Sequence, residues 1–186
     1  MSKGTLLVLS GPSGVGKTTI AKKLREVPRI VRVMTTTTRA PRTGEVNGRE
    51  YRFLSRAEFE AAIGRGEFLE YAEIVGNLYG TPKSEIEHQL AEGHLVLVDI
   101  DTQGAKSVRD LGLPAVFVFI APPDMAELRS RLEGRKTETP EMIAKRLAQA
   151  EREMAQKDTY DRVVVNDTVD RAVGEILDVL RGRKLI

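Results

Sequence analysis

Gly11-Pro12-Ser13-Gly14-Val15-Gly16-Lys17-Thr18 is a glycine-rich turn that follows the apolar run Leu6-Leu7-Val8-Leu9 and precedes a helical pattern beginning near Ile20. This order of strand, turn and helix is typical of a phosphate-binding loop, in which backbone N–H groups and the positive end of a helix point at one anion. In such a loop, Lys17 reaches the β- and γ-phosphates and the hydroxyl of Thr18 binds Mg²⁺. The alternative, an ordinary glycine turn with a chance Gly-Lys-Thr, is disfavoured because spacing, strand and helix agree. The stretch predicts a site for a nucleoside triphosphate.

The amino-acid composition limits the classes of protein to which the chain can belong. The chain has 186 residues, of which 41% are hydrophobic and 30% charged, and this predicts one folded domain with one or two small excursions. A net charge of +2 does not indicate a nucleic-acid partner, and the absence of cysteine excludes disulfides, thiol catalysis and zinc-thiolate sites. Because the short apolar start runs directly into the phosphate loop, we expect no signal peptide, no membrane partner and a cytoplasmic location.

The rest of the core is predicted from further apolar runs. Residues 95–99 and 115–120 are apolar on successive positions, as expected for strands covered on both faces by helices. A helical pattern at 104–111 lies between them, and this order of strand, helix and strand predicts a parallel sheet. Residues 162–165 read as the last core strand, and 169–180 as a closing amphipathic helix. The fold class is therefore α/β.

Two segments interrupt this core pattern. Residues 33–82 combine a short strand near Tyr51, a helix with a capping box at Ser55 and Glu58, and a hairpin around Gly76-Asn77, which indicates a small α+β insert. Residues 122–156 read as connecting helices that begin after Asp124 and Thr139. We expect a core formed by 1–32, 83–121 and 157–186, an insert at 33–82, and connecting helices at 122–156.

Two arginines in the insert are candidates for a second phosphate site. Arg39 and Arg42 lie in a loop containing proline and glycine, with hydroxyl groups at Thr35 and Tyr51 on either side. Arginine suits phosphate because it makes bidentate, charge-assisted hydrogen bonds to phosphate oxygens. A solvated loop is the alternative, and only the need for an acceptor site beside the phosphate loop favours binding.

Two acids follow the apolar strand at 95–99. Asp99 stands where an acid that binds Mg²⁺ through water is expected beside a phosphate loop, although an ordinary turn residue is the alternative. Asp101 is two residues on and points to the same side if the chain is still extended. Asp99 is therefore the candidate for binding the metal.

Seven motifs occur in order along the chain: GPSGVGKT (11–18), TTRAPRTGEVNGREY (37–51), FLE (68–70), YGT (79–81), DIDTQG (99–104), RLEGR (131–135) and VND (165–167). Together they closely resemble guanylate kinases. The resemblance implies a three-layer P-loop kinase core with a parallel sheet, a nucleoside-monophosphate-binding insert at 33–82, and a helical lid within 122–156. It also implies transfer of the γ-phosphoryl group of MgATP to GMP, with ATP and GMP, and in some cases dGMP, as ligands.

The resemblance assigns residues to each substrate. ATP would contact Gly11, Pro12, Ser13, Gly14, Val15, Gly16, Lys17, Thr18, Thr19 and Asn166. The phosphate of GMP would contact Thr35, where the family often has serine, together with Arg39, Arg42, Tyr51 and Tyr79. Guanine would be read by Glu70, Thr81 and Asp101. Thr18 would bind Mg²⁺ directly and Asp99 through water. Charge on the transferred group would be stabilised by Lys17, Arg39, Arg42, Arg131, Arg135 and Arg146.

The chemistry of guanine fits the three residues assigned to the base. Its N1–H and N2 amino donors suit carboxylates at Glu70 and Asp101, and its O6 suits the hydroxyl of Thr81. Adenine presents an acceptor at N1, which a carboxylate cannot satisfy, and such a mismatch rejects the wrong base by up to roughly 10⁴-fold. Taken singly, Glu70 also reads as a solvated strand residue and Tyr79 as a core aromatic.

Other interpretations stay open at this point. Arg129 and Lys145 read as solvated helix residues, and Asn166 has a turn or helix cap as its alternative. The same scaffold could phosphorylate another acceptor, such as a sugar phosphate, or bind a phosphopeptide as a scaffold module. A switch GTPase is disfavoured because the chain has no Asn-Lys-x-Asp motif. A monomer or a small homo-oligomer is expected.

Overall fold

The computed structural model describes residues 4–134 and 139–186. In chain order its elements are β1 (Thr5–Ser10), α1 (Lys17–Leu24), β2 (Ile30–Arg32), β3 (Thr36–Thr37), β4 (Arg52–Phe53), α2 (Arg56–Gly64), β5 (Phe68–Ile74), β6 (Asn77–Pro82), α3 (Lys83–Ala91), β7 (Leu95–Asp99), α4 (Thr102–Asp110), β8 (Ala115–Ala121), α5 (Met125–Glu133), α6 (Pro140–Met154), a 3₁₀ turn (Lys157–Thr159), β9 (Arg162–Val165) and α7 (Val169–Gly182). No helix in these two ranges is both long and apolar enough to cross a membrane.

The core is a five-stranded parallel sheet in the order β2-β7-β1-β8-β9. Alternate residues of β1 point to opposite faces. Leu7 and Leu9 pack with the apolar sides of α1 and α7, whereas Leu6 and Val8 pack with those of α3 and α4. Because both faces are covered by helices, all four side chains are fully buried. The predicted three-layer α/β fold is confirmed.

The phosphate loop lies at the carboxyl edge of this sheet. The chain leaves β1 after Ser10 and enters α1 at Lys17, and Gly16 caps the helix with φ of 100°, a left-handed conformation that favours glycine. The neighbouring strand β7 ends beside the loop, because its Asp99 is in register with Leu9 of β1. The register therefore brings a carboxylate to the start of α1.

A smaller sheet is formed within residues 33–82, in the order β4-β3-β6-β5. β3 pairs with β4 in parallel and with β6 antiparallel, and β5 and β6 form the predicted hairpin. Helix α2 has the predicted capping box at Ser55 and Glu58, and its Phe59 stacks on Phe68 with ring centroids 4.4 Å apart. This packing supports β5, the strand that carries Glu70.

Helices α5 and α6 form a separate small core through residues such as Leu128, Leu132 and Leu147. Both begin at the predicted caps, because Asp124 accepts a hydrogen bond from the backbone of Glu127 and Thr139 accepts one from the backbone of Met142. One predicted helix moves by one or two residues at its ends. The helix expected at 104–111 spans Thr102–Asp110.

Candidate active site

A cavity of about 540 Å³ joins the phosphate loop, the smaller sheet and one face of α6. Most of the residues singled out from the sequence line it: Gly11, Pro12, Ser13, Gly14, Gly16, Lys17, Thr18, Thr19, Thr35, Arg39, Arg42, Tyr51, Glu70, Tyr79, Asp99, Asp101 and Arg146. Four others that the structure describes do not line it: Val15, Thr81, Arg131 and Asn166. Arg135 lies outside the described residues.

The phosphate loop, which lines the cavity, forms hydrogen bonds with its own lysine. The Nζ of Lys17 donates hydrogen bonds to the carbonyl oxygens of Gly11 at 2.5 Å and Pro12 at 3.2 Å. These bonds keep the ammonium group over the loop rather than out in solvent. A phosphate bound by the loop would therefore meet a positive charge already in place.

A hydroxyl and a carboxylate lie together beside the loop. The Oγ1 of Thr18 donates to the Oδ2 of Asp99 over 3.3 Å, and both residues line the cavity. Mg²⁺ prefers oxygen ligands and usually keeps several waters while binding one or two protein groups and substrate phosphates. The two oxygens therefore fit the metal-binding pair expected from the sequence.

Glu70 is a buried carboxyl group that also lines the cavity. Its side chain is 6% exposed, and its Oε1 accepts a hydrogen bond of 2.5 Å from the hydroxyl of Thr81, its cross-strand neighbour. Burial raises the pKa of Glu70 to about 7, the nearby charge of Asp101 adds to this rise, and the bond from Thr81 opposes it. Thr81 thus points its hydroxyl at Glu70 in this structure.

We expect the stability of the nucleotide-free protein to depend on pH through Glu70. Its pKa is higher in the folded chain than the ordinary 4.5, so the folded state holds a proton that the unfolded state releases. Stability is therefore lost as pH rises from about 4.5 to 7, by about 3 kcal/mol in all. Urea unfolding of the wild type and of Glu70→Gln at pH 5 and pH 8 measures this loss. Relative to the wild type, Glu70→Gln should have a higher unfolding free energy at pH 8 than at pH 5. A difference between the two proteins that does not change with pH would contradict this expectation.

Asp101 and Gly104 complete the surroundings of Glu70. Asp101 caps α4 by accepting a hydrogen bond of 2.8 Å from the backbone N–H of Gly104, and burial raises its pKa while that bond and the charge of Lys17 lower it. A Cβ atom at Gly104 would lie 2.5 Å from the Oε2 of Glu70. Glycine is needed here because the carboxylate of Glu70 packs against the helix backbone.

The candidate phosphate-acceptor residues meet on the smaller sheet. Tyr51 and Tyr79 pack edge to face with centroids 6.4 Å apart, and the guanidinium of Arg39 lies 5.4 Å from the ring centroid of Tyr51. Burial raises the pKa of Tyr51 to about 12, so its hydroxyl keeps its proton at neutral pH and can donate to an anion. Thr35 is buried and Arg42 is exposed, and both line the same cavity.

The arginines of α5 and α6 contact the phosphate loop in different ways. Arg146 donates to the Oγ of Ser13 at 2.6 Å and lines the cavity. Arg131 donates to the carbonyl oxygens of Val15 at 3.3 Å and Asn166 at 3.0 Å. One bond reaches the loop and the other the residue after β9, so in this structure Arg131 joins the two and does not line the cavity.

Asn166 also supports the loop from behind. Its Nδ2 donates to the carbonyl oxygen of Val15 at 2.7 Å, and the side chain is 3% exposed. The cap of α7 is Thr168, so the alternative of a helix cap at Asn166 is not what the structure has. Gly16 is needed here as well, because a Cβ atom on it would lie 2.4 Å from the Nδ2 of Asn166.

A stripe of residues along α6 lines the cavity, whereas the sequence predicted only Arg146 there. Met142, Gln149 and Glu153 join Arg146 there, and the spacing of three or four residues between successive members is the signal that could have found them. Glu153 is 5% exposed, accepts a bond of 2.9 Å from Gln149, and has its pKa raised by burial. Lys145, off this stripe, is exposed as expected, and so is Arg129 of α5.

Known proteins match the chain over nearly its whole length. A family model described as guanylate kinase matches residues 3–183. The guanylate kinase of Rubrobacter xylanophilus is 48% identical over 182 residues, which cover 97% of this chain and 95% of that protein. The guanylate kinase of Nocardia farcinica is 50% identical over 180 residues, covering 95% and 93%. The crystal structure of guanylate kinase from Anaplasma phagocytophilum has a TM-score of 0.83 at 36% identity, covering 98% of this chain and 87% of that one.

Proposed function

Because the chain belongs to the guanylate kinase family, we propose which of its residues bind each substrate and which act on the transferred phosphoryl group. The enzyme transfers the γ-phosphoryl group of ATP to GMP and yields ADP and GDP. One observation carries the residue assignments: a single cavity is lined both by the phosphate loop and by the carboxyl groups of the buried Glu70 and the half-buried Asp101. Such a cavity can place a donor and an acceptor nucleotide end to end.

We assign the donor end to ATP. The loop residues 11–19 would surround the β- and γ-phosphates, with Lys17 as the charge that follows the transferred group. Asn166 and Arg131 would act through the loop, since both bond to the carbonyl oxygen of Val15. Mg²⁺, when bound, neutralises charge on the two phosphates, and the oxygens of Thr18 and Asp99 would hold it, Asp99 through water.

We assign the other end to GMP. The phosphate would lie among Arg39, Arg42, Tyr51, Tyr79 and Thr35, which together offer charged and neutral donors. Guanine would lie against Glu70 and Asp101, whose carboxylates accept from its N1–H and N2 amino groups. Thr81 would either donate to O6 or hold Glu70 in place, and its bond to Glu70 supports the second role.

The transfer itself needs no catalytic base in this arrangement. The attacking atom is a phosphate oxygen of GMP, which is already anionic, so the barrier is lowered by alignment and by neutralising charge. Lys17, Arg39 and Arg42 supply positive charge around the two phosphates. Arg146 reaches Ser13 of the loop and would add charge on the transferred group, as would Arg135 of the lid. Arg131, expected from the sequence to do the same, would act through its bond to the loop.

We propose that residues 33–82 form the GMP-binding insert and that 122–156 form the lid with its connecting helices, both attached to a core of 1–32, 83–121 and 157–186. Closure of insert and lid over both nucleotides would exclude water, which competes with GMP for the phosphoryl group. We expect a monomer or a small homo-oligomer, place the enzyme in the cytoplasm, and include dGMP among the acceptors to be tested.

The simplest test of this proposal is to find which nucleoside monophosphates accept the phosphoryl group. ADP release from MgATP, followed with GMP, dGMP, AMP, CMP or UMP, should occur with the guanine nucleotides and fall by up to roughly 10⁴-fold with AMP. Equal rates with GMP and AMP would contradict the base assignment. Turnover with GMP that does not depend on added Mg²⁺ would contradict the metal assignment.

Gly104→Ala should damage GMP binding without unfolding the protein. The new Cβ atom would displace the carboxylate of Glu70. We expect the KM for GMP to rise about tenfold, which corresponds to the loss of one buried charged hydrogen bond. Alanine raises helix propensity by up to about 1 kcal/mol, which offsets part of the strain in the fold. Gly174→Ala is the matched control, because a Cβ atom there in α7 meets open space. A normal KM for GMP in Gly104→Ala would show that Glu70 does not contact the base from this position.

A further inference from the structure

Glu45 makes a paired contact with an arginine of the candidate phosphate site. The Nη2 of Arg39 lies 2.9 Å from both the Oε1 and the Oε2 of Glu45, and its Nη1 donates to the carbonyl oxygen of Ala40 at 2.7 Å. The two charged side chains are only 14% and 17% exposed. Ion pairs on open surfaces contribute little, but a pair shielded in this way holds its geometry more firmly.

The same carboxylate also holds the backbone at the second arginine. The Oε2 of Glu45 accepts a hydrogen bond of 2.8 Å from the N–H of Arg42, and the N–H of Glu45 donates to the carbonyl oxygen of Arg42 at 3.0 Å. These bonds close the loop from 39 to 45 on itself. A single side chain therefore sets both the guanidinium of Arg39 and the point from which Arg42 extends.

Aromatic rings hold Arg39 from another side. Its guanidinium carbon lies 5.4 Å from the ring centroid of Tyr51 and 5.8 Å from that of Phe53, within the range of cation–π attraction. Two arginines that converge on one phosphate repel each other until the phosphate arrives. The charge of Glu45 offsets that repulsion and keeps Arg39 against the rings.

We propose that Glu45 is a positioning residue for the acceptor phosphate. It holds Arg39 and Arg42 in place before GMP binds, and it acts on the phosphate only through them. The inference rests on the proposed function, because it takes this loop to be the GMP phosphate site. Competition between the carboxylate and the phosphate for the donors of Arg39 would have the opposite sign in an experiment.

Glu45→Gln separates these effects. Glutamine keeps an oxygen that can accept from the N–H of Arg42, but it removes the negative charge that pairs with Arg39. We therefore expect the KM for GMP to rise about tenfold while the KM for ATP stays unchanged. Guanosine carries no phosphate, so its inhibition constant against GMP should not change. Glu60→Gln is the matched control, because it removes an exposed ion pair with Arg56 in the same insert. A fall in the KM for GMP would establish competition instead, and an equal weakening of guanosine would establish a general structural role; either result overturns the proposal.

A second variant tests the route through Arg39. In an Arg39→Ala background, Glu45→Gln should add no further loss in the KM for GMP, whereas an undiminished tenfold loss would overturn the proposed route. The activity of the wild type separates the role of Glu45 from the proposed function. Turnover of GMP by the wild type with no change in Glu45→Gln would overturn the role of Glu45 alone, whereas failure of the wild type to use GMP would overturn the proposed function.

Discussion

Lys17→Ala is expected to lower kcat by roughly three orders of magnitude while leaving the protein folded. The ammonium group is held over the phosphate loop by the carbonyl oxygens of Gly11 and Pro12, so its charge meets the phosphates without reorganisation. The side chain is partly exposed and forms no part of the two main apolar clusters, so its loss removes little packing. Steady-state ADP release with saturating MgATP and GMP measures the effect.

Lys22→Ala provides the comparison for this experiment. Lys22 lies on the same helix, is exposed and does not line the cavity, so its loss changes the net charge by the same amount without touching the loop. Thermal melting of both variants checks the fold. A Lys17→Ala enzyme that retains most of its turnover would show that the loop does not act on the transferred group.

Glu70→Gln is expected to remove most of the preference for GMP over AMP. An amide cannot accept from both the N1–H and the N2 amino group of guanine, and it can donate to the N1 of adenine, so the change penalises one base and favours the other. We expect kcat/KM for GMP to fall about 100-fold, the cost of leaving buried polar groups unpaired, and the value for AMP to hold or rise. Both acceptors are compared in the same ADP-release assay.

Glu67→Gln is a suitable control for Glu70→Gln. Glu67 is exposed, lies three residues earlier, and pairs on the surface with Arg65. Its loss should leave the ratio of kcat/KM for GMP and AMP unchanged. If Glu70→Gln also left that ratio unchanged, Glu70 would not read the base, and the buried carboxyl with its pKa of about 7 would need another role.

Local signals in the sequence account for most of the fold. The phosphate loop, the apolar strand of 95–99 and the caps at Ser55 and Asp124 each depend on neighbours in the chain, and all appear where they were expected. Helix α4 begins two residues before the start that the sequence predicts. The resemblance predicts Asp101 only as a ligand of the base, whereas the residue also caps the helix, whose first turn begins at Thr102.

The contacts that organise the site could not be read in this way, because they join distant parts of the chain. The bond from Thr81 to Glu70 depends on the register of β5 and β6, which shifts at an irregularity between Phe68 and Glu70. The bond from Asn166 to Val15 joins residues 151 positions apart. Glu45 lies close to Arg39 in sequence, but loop residues follow no periodic pattern that would predict their pairing. Tertiary geometry decides each of these.

The substrate assignments require one cavity that holds both nucleotides. Binding of adenosine joined to guanosine through a chain of five phosphates, measured by calorimetry, tests it most directly. We predict one molecule bound per chain, displaced by either ATP or GMP alone, with affinity weakened separately by Lys17→Ala and by Glu70→Gln. Two molecules bound per chain, or displacement by only one of the two nucleotides, would contradict the shared cavity.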